Sequence, residues 1–198
     1  MARSPSENVE LCLQSLVENA PGCLLHPAFH ERLGFKGLYV RDLLRDGSRG
    51  YATVQGTIFL GARSTVKFRT PSPYSVPGGK SDMSPTGVLS HEFGHILQFA
   101  LAGARRNDLL QEQRAIYTDD RRNGITGYGR SHWQEDFAEA HRLYLLNPDL
   151  LRTLSVERLK LVERCYRAVL GCLPRHKQFS VVRRQRASLL GNMLRSPS

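Results

Sequence analysis

Apolar positions in this chain recur first at helical spacing, then in short strand-like runs, then at helical spacing again. Residues 6–19 carry the first helical pattern, with Ser6 as the expected cap and Pro21-Gly22 as the stop. Residues 35–41 and 51–69 favour strands instead. The runs Tyr51-Ala52-Thr53-Val54, Thr57-Ile58-Phe59-Leu60 and Thr65-Val66-Lys67-Phe68 each fit one, with Gln55-Gly56 and Gly61-Ala62-Arg63-Ser64 as turns. A Pro/Gly/Ser-rich stretch over 71–87 follows and reads as a long, function-bearing loop. Ser84-Pro85 then cap a helix that runs to Gly103, with Val88, Leu89, Phe93, Ile96, Leu97, Ala100 and Leu101 on a broad apolar face. A further helix is expected over 131–146. Ser131 and Gln134 give its capping-box signature, Asn147-Pro148 its end, and Trp133, Phe137, Ala140 and Tyr144 one face. Residues 155–170 read as an amphipathic helix, and Leu189, Leu190, Met193 and Leu194 form a short apolar stripe fit to dock on the body. The order predicts an α+β fold: a small twisted sheet packed on a central helix, then a C-terminal helical lobe.

The central helix carries chemistry. Residues 91–95 read His91-Glu92-Phe93-Gly94-His95. Residues four apart share a helix face, so His91 and His95 can present two imidazoles to one cation, while Glu92 is angled to reach a water beside it. This is the zinc-protease spacing, with two histidine ligands and a glutamate as general base.

Catalytic zinc usually has a third protein ligand and an open position. A histidine six residues past the second, with an intervening glycine, is one solution, but here those positions hold Leu101 and Gln98. The alternative is an acid on a separate helix. Glu135 and Glu139 share a face of the 131–146 helix, where two carboxylates four apart repel unless a cation or a shared proton offsets the cost. Glu135 is assigned as third ligand, and Glu139 as acceptor for a ligand histidine's N–H, which fixes the ring tautomer. His132 and His141 remain competing ligand candidates, with His132 also placed to contact substrate.

The run His91 to His95, together with Tyr128-Gly129-Arg130-Ser131-His132-Trp133-Gln134-Glu135-Asp136-Phe137-Ala138-Glu139-Ala140, resembles the catalytic domain of anthrax lethal factor and the related Pro-Pro endopeptidases. In that family a Y-G-R segment leads into a helix bearing E-x-F-A-E-A. The likeness covers roughly residues 50–146. It implies a zincin-like metallopeptidase of gluzincin type, with His91, His95 and Glu135 holding Zn²⁺, Glu92 as base and Tyr128 steadying the oxyanion. It also implies a protein or peptide substrate and a toxin or effector role, secreted by a specialised route. Substrate choice does not carry over. The other readings are an inactive zincin-fold binding protein, which the intact Glu92 argues against, and a basic nucleic-acid-associated protein.

Charge bears on that last reading. Residues 151–198 hold eleven Lys+Arg and two Asp+Glu, against seventeen and sixteen in residues 1–150, so +9 of the formal +10 lies in the last quarter. We therefore divide the chain into a metallopeptidase domain over 1–174 and a basic tail over 175–198, whose charge suits an acidic partner. No known nucleic-acid motif accompanies it. Met1 to Glu10 is polar, so conventional export is not encoded there, and the expected location is the producing cell's cytoplasm or a target cell. No apolar stretch is long enough to span a membrane. Cys12, Cys23, Cys165 and Cys172 form no C-x-x-C pair and are expected as buried thiols, in keeping with reducing cytosol.

Overall fold

The computed structural model describes residues 3–67, 81–120, 124–174 and 183–194. The fold is mixed α+β and mostly helical. Its first helix, α1 (Pro5–Asn19), starts earlier than Ser6 because Ser4 makes the better cap. Ser4 Oγ accepts from the Glu7 backbone N–H at 3.3 Å, and the Glu7 carboxylate accepts from the Ser4 N–H at 2.6 Å, a reciprocal capping box with Pro5 at the first helical position. A short helix, α2 (Pro27–Leu33), follows and ends on Gly34 in the left-handed region.

Strands β1 (Gly37–Arg41), β2 (Gly50–Ala52) and β3 (Thr57–Gly61) form one sheet in the order β1-β3-β2. β1 runs parallel to β3, and β2 antiparallel to it. The strand expected over 65–68 is replaced at its start by a helical turn, α3 (Ala62–Thr65), while Phe68 lies outside the described residues. The reason is local. The Thr65 hydroxyl donates to the Gly61 and Ala62 carbonyls at 3.0 and 3.1 Å, and the Arg63 backbone N–H donates to Asp42 O at 2.9 Å, so the chain turns where β3 would otherwise continue.

The central helix, α4 (Pro85–Gly103), keeps its expected cap: Ser84 Oγ accepts from Gly87 N–H at 3.1 Å. It is buried along most of its length, under Leu38, Ile58 and Leu60 of the sheet on one side and against the later helices on the other. The later helices are α5 (Asn107–Asp119), α6 (Trp133–Leu146), α7 (Pro148–Leu154), α8 (Val156–Leu170) and α9 (Arg183–Met193), of which α5, α6 and α8 pack on α4. Helix α6 starts on His132 rather than Ser131. Ser131 sits in a one-turn 3-10 segment and its hydroxyl donates to Tyr128 O at 2.7 Å, whereas His132 is extended and its Nδ1 accepts from Gln134 N–H at 3.4 Å.

The apolar stripe near the end of the chain docks as expected. Leu190 and Met193 of α9 enter the main core, and Leu194 bridges Leu38 of β1. The Arg175-His176-Lys177 segment, residues 71–80 of the long loop and Arg121–Asn123 lie outside the described residues. All four cysteines are free, but only Cys12, Cys23 and Cys165 are buried; Cys172 is exposed, at the end of α8 where the chain leaves the core. No helix among the described residues is long and apolar enough to cross a membrane.

Two glycines set how closely layers approach. A Cβ on Gly50 would lie 2.6 Å from Val88 Cγ1 and 3.0 Å from Glu92 Oε1, so β2 rests directly on α4. A Cβ on Gly94 would lie 2.8 Å from Ala138 Cα, where α4 crosses α6. Alanine in a helix is favoured over glycine by about 1 kcal/mol at most, whereas overpacking against backbone costs roughly 1–3 kcal/mol. Gly94→Ala is therefore expected to destabilise the protein in urea unfolding. Gly103→Ala, which meets nothing within 4 Å, is expected to leave stability unchanged or raise it.

Candidate metal centre

The α4–α6 crossing brings the two motif segments together. His91 and His95 stand one turn apart on α4, their ring centroids separated by 5.0 Å at an angle of 77°. Glu135, in the first turn of α6, points its Oε2 at both: 3.0 Å from His91 Nε2 and 3.5 Å from His95 Nε2. Among the described residues, His91, His95 and Glu135 form the one group whose ligand atoms could share a cation, all lying within 4.8 Å of one another.

The far side of each ring is occupied as well. His91 Nδ1 lies 2.9 Å from Glu139 Oε1, and His95 Nδ1 lies 3.0 Å from Gln98 Oε1. With those nitrogens as donors, both Nε2 lone pairs face a carboxylate. Three lone-pair donors converging in a part-buried space need a positive charge between them, either a proton or a metal ion. Four ligands at about 2.05 Å in a tetrahedron stand about 3.3 Å apart, close to the separations found here.

The local field favours such a charge. Burial alone would drive a proton from His91, but hydrogen bonds to Glu135 and Glu139 reverse this and raise its pKa to about 10. Burial would push both glutamates up. For Glu135 the two imidazoles win, and for Glu139 the Arg142 guanidinium with His91, so each carboxyl stays well below its ordinary value. Arg142 grips Glu139 with two hydrogen bonds of 3.1 and 3.0 Å, and Glu139 is only 1% exposed. Arg142 was missed from the sequence, although its position three residues beyond Glu139 was a signal for such a pair.

Glu92 lies beside the cluster with its carboxyl pushed up by burial, while the Ala52 backbone amide of β2 hydrogen-bonds to it. It lines a cavity of about 180 Å³ with His91, Tyr128, Asp82, Met83 and Val88. The Tyr128 ring sits 5.7 Å from that of His91, and burial together with the Glu135 and Glu92 charges pushes its hydroxyl up to about 12. Its loop is anchored from below. Asp136 Oδ1 accepts from Ile125 N–H at 3.3 Å, and its Oδ2 accepts from the buried Arg158 Nε at 2.7 Å. Neither anchor was read from the sequence, because the pair spans two helices.

His132 and His141 stand outside the cluster. His132 caps α6, with its ring beside Trp133. His141 is fully buried where α6 meets α4 and α8, its Nδ1–H donating to Ser90 O at 2.7 Å and its Nε2 bonded to the Tyr166 hydroxyl. Burial lowers its pKa to about 3 from 6.5, so His141 is neutral when folded. The folded-state value being the lower one, its stabilisation is complete above pH 6.5 and is lost as pH falls towards 3. Urea titrations across pH 4–7 are expected to show wild type losing up to about 1.4 kcal/mol per pH unit more than His141→Gln. Parallel curves would show that His141 does not titrate on unfolding.

Comparisons with protein families, with curated proteins and with solved structures each give no match.

Proposed function

We propose that this chain is a zinc-dependent endopeptidase of zincin type, as its resemblance to the lethal-factor catalytic domain implies. The observation that carries this reading is the convergence of His91 Nε2, His95 Nε2 and Glu135 Oε2, with both Nδ1 atoms already held by acceptors. Two imidazoles and one carboxylate suit zinc, whereas calcium and magnesium favour all-oxygen sites. His91, Glu92 and Tyr128 line one cavity, so an ion held by these three ligands would be reachable by water and substrate, as in catalytic rather than structural sites. When bound, zinc supplies an electrophile that acidifies water to a pKa near 7 and polarises a carbonyl.

The protein's own groups do the rest. Glu92, with its carboxyl raised by burial, is suited to take a proton from the attacking water and pass it to the departing amine. Tyr128, its hydroxyl still protonated at neutral pH, donates to the oxygen that gains charge as the carbonyl becomes tetrahedral. Glu139 and Arg142 keep the His91 ring in one orientation.

An extended peptide suits the cleft. Thr53 N–H bonds to Thr57 O and Gly61 N–H to Arg49 O, so along β2 the alternate residues Gly50 and Ala52 turn their backbone groups away from β3. That is the outer side of the edge strand among the described residues, and it borders Glu92, which engages the Ala52 N–H. A substrate added there pairs with the β2 backbone groups that Glu92 leaves, without any demand on its sequence, and the cavity beside Glu92 can then select a side chain. The zincin arrangement, a sheet with an antiparallel edge strand over the metal helix, is supported by the same features.

Elemental analysis after buffer exchange is expected to find about one zinc per wild-type chain and none in Glu135→Ala. Glu92→Gln should retain the metal while losing nearly all turnover of a peptide library. Wild-type turnover in Glu92→Gln would sink the mechanism, and folded wild type that takes up no zinc would sink the metal assignment.

A further inference from the structure

Behind His95 lies a run of buried hydrogen bonds that the two-histidine motif does not explain. Gln98 Oε1 accepts from His95 Nδ1 at 3.0 Å, and Gln98 Nε2 donates to Gln113 Oε1 at 2.9 Å. Gln113 Nε2 then donates to Cys165 Sγ at 3.7 Å. The run crosses three helices, α4, α5 and α8, and its members are 3%, 2% and 0% exposed. Polar side chains buried this deeply must have partners, and each of these has.

An amide donates from one end and accepts at the other, so a row of amides has a direction. The contact with Cys165 shows it, because there the Gln113 amino group donates to the buried sulfur. The Gln113 oxygen is thereby left facing Gln98, whose own amino group answers it. That leaves only the Gln98 oxygen towards His95. A flipped Gln98 would set oxygen against oxygen at Gln113, a mismatch in a dry interior.

We infer that Gln98 and Gln113, anchored on Cys165, are positioning residues that keep the His95 proton on Nδ1 and turn its Nε2 lone pair to the cation position shared with His91 and Glu135. The inference rests on the zinc reading above. It also makes the two histidines unequal. His91 is backed by a carboxylate and His95 by a neutral amide, so the hold on His95 depends on the direction of the relay rather than on charge. A purely structural role, in which the amides only tie α4 to α5, predicts none of this.

Zinc dissociation constants by chelator competition separate the two roles. Loss of such a partner typically weakens metal affinity about 10–100-fold, and Gln98→Met is expected to fall in that range. Gln113→Leu should weaken binding as well, but the double variant should bind no more weakly than Gln98→Met, because Gln113 acts only through Gln98. Gln98→Glu can only accept and should restore affinity, with Gln113 turning its amino group to the carboxylate and its oxygen to the Cys165 S–H. In parallel, ring-nitrogen NMR of metal-free protein with labelled histidine is expected to find the His95 Nδ1 protonated in wild type, and the proton moved to Nε2 in Gln98→Met. Circular dichroism confirms folding, and Gln113→Met replaces Gln113→Leu if the latter does not fold. Wild-type affinity with an unmoved proton in folded Gln98→Met overturns the inference. Additive losses in the double variant overturn it too, since they mark general loosening between α4 and α5. If wild type binds no zinc yet Gln98→Met moves the proton, the relay stands and the zinc reading falls.

Discussion

The close crossing of α4 and α6 is the constraint on which the rest of this structure depends. Glycine at position 94 removes the side chain that would hold the helices apart, and Ala138 presents the smallest surface opposite it. At that separation a short carboxylate on α6 reaches an imidazole on α4 directly. Both Glu135 and Glu139 do so, one on each nitrogen of His91. A wider crossing would leave the same residues as a solvated acidic face and a pair of ordinary helix histidines. The chemistry therefore rests on a packing distance as much as on the identity of the polar groups.

Burying so much charge at one crossing is costly unless every group is answered. The structure answers them in layers. Glu139 is nearly inaccessible and is gripped by Arg142 as well as His91; Asp136, one turn earlier, is gripped by Arg158. These pairs lie beneath the cluster, where Glu135 is held by the two imidazoles and Glu92 by the Ala52 amide. An interior of low polarity lends them strength, because few water molecules compete for their charge.

Much of this was legible in the sequence, and the limits have physical causes. The helices bearing the histidines and the glutamates announce themselves through apolar spacing, Ser84-Pro85 and Asn147-Pro148, and the pairing of Glu139 with a motif histidine follows from four-residue spacing. Thr65-Val66-Lys67 misleads because β-branched residues suit a strand on intrinsic preference, yet the Thr65 hydroxyl bonds to backbone and closes a turn. Ser131 misleads as a cap for a related reason: its hydroxyl is already used by Tyr128 O. The partners of Gln98 and Asp136 were out of reach, since each depends on a helix distant in sequence. The edge strand was foreseeable only as one of several, because β2 is three residues long and its position is set by Gly50 lying against Val88.

Helix α9 has a bearing on how the chain is made. Leu190 and Met193 close a core that begins with Cys12 and Leu16 of α1, Arg186 bonds to the Glu18 carbonyl, and Leu194 bridges Leu38. The core beside α1 is thus sealed by residues synthesised about 170 positions after those they cover. During translation α1 and the turn after it keep part of their apolar surface uncovered until α9 has left the ribosome. Closure of this core is in this way timed by a segment distant in the chain, and a nascent protein cut short before α9 would be a target for chaperones rather than a smaller folded protein.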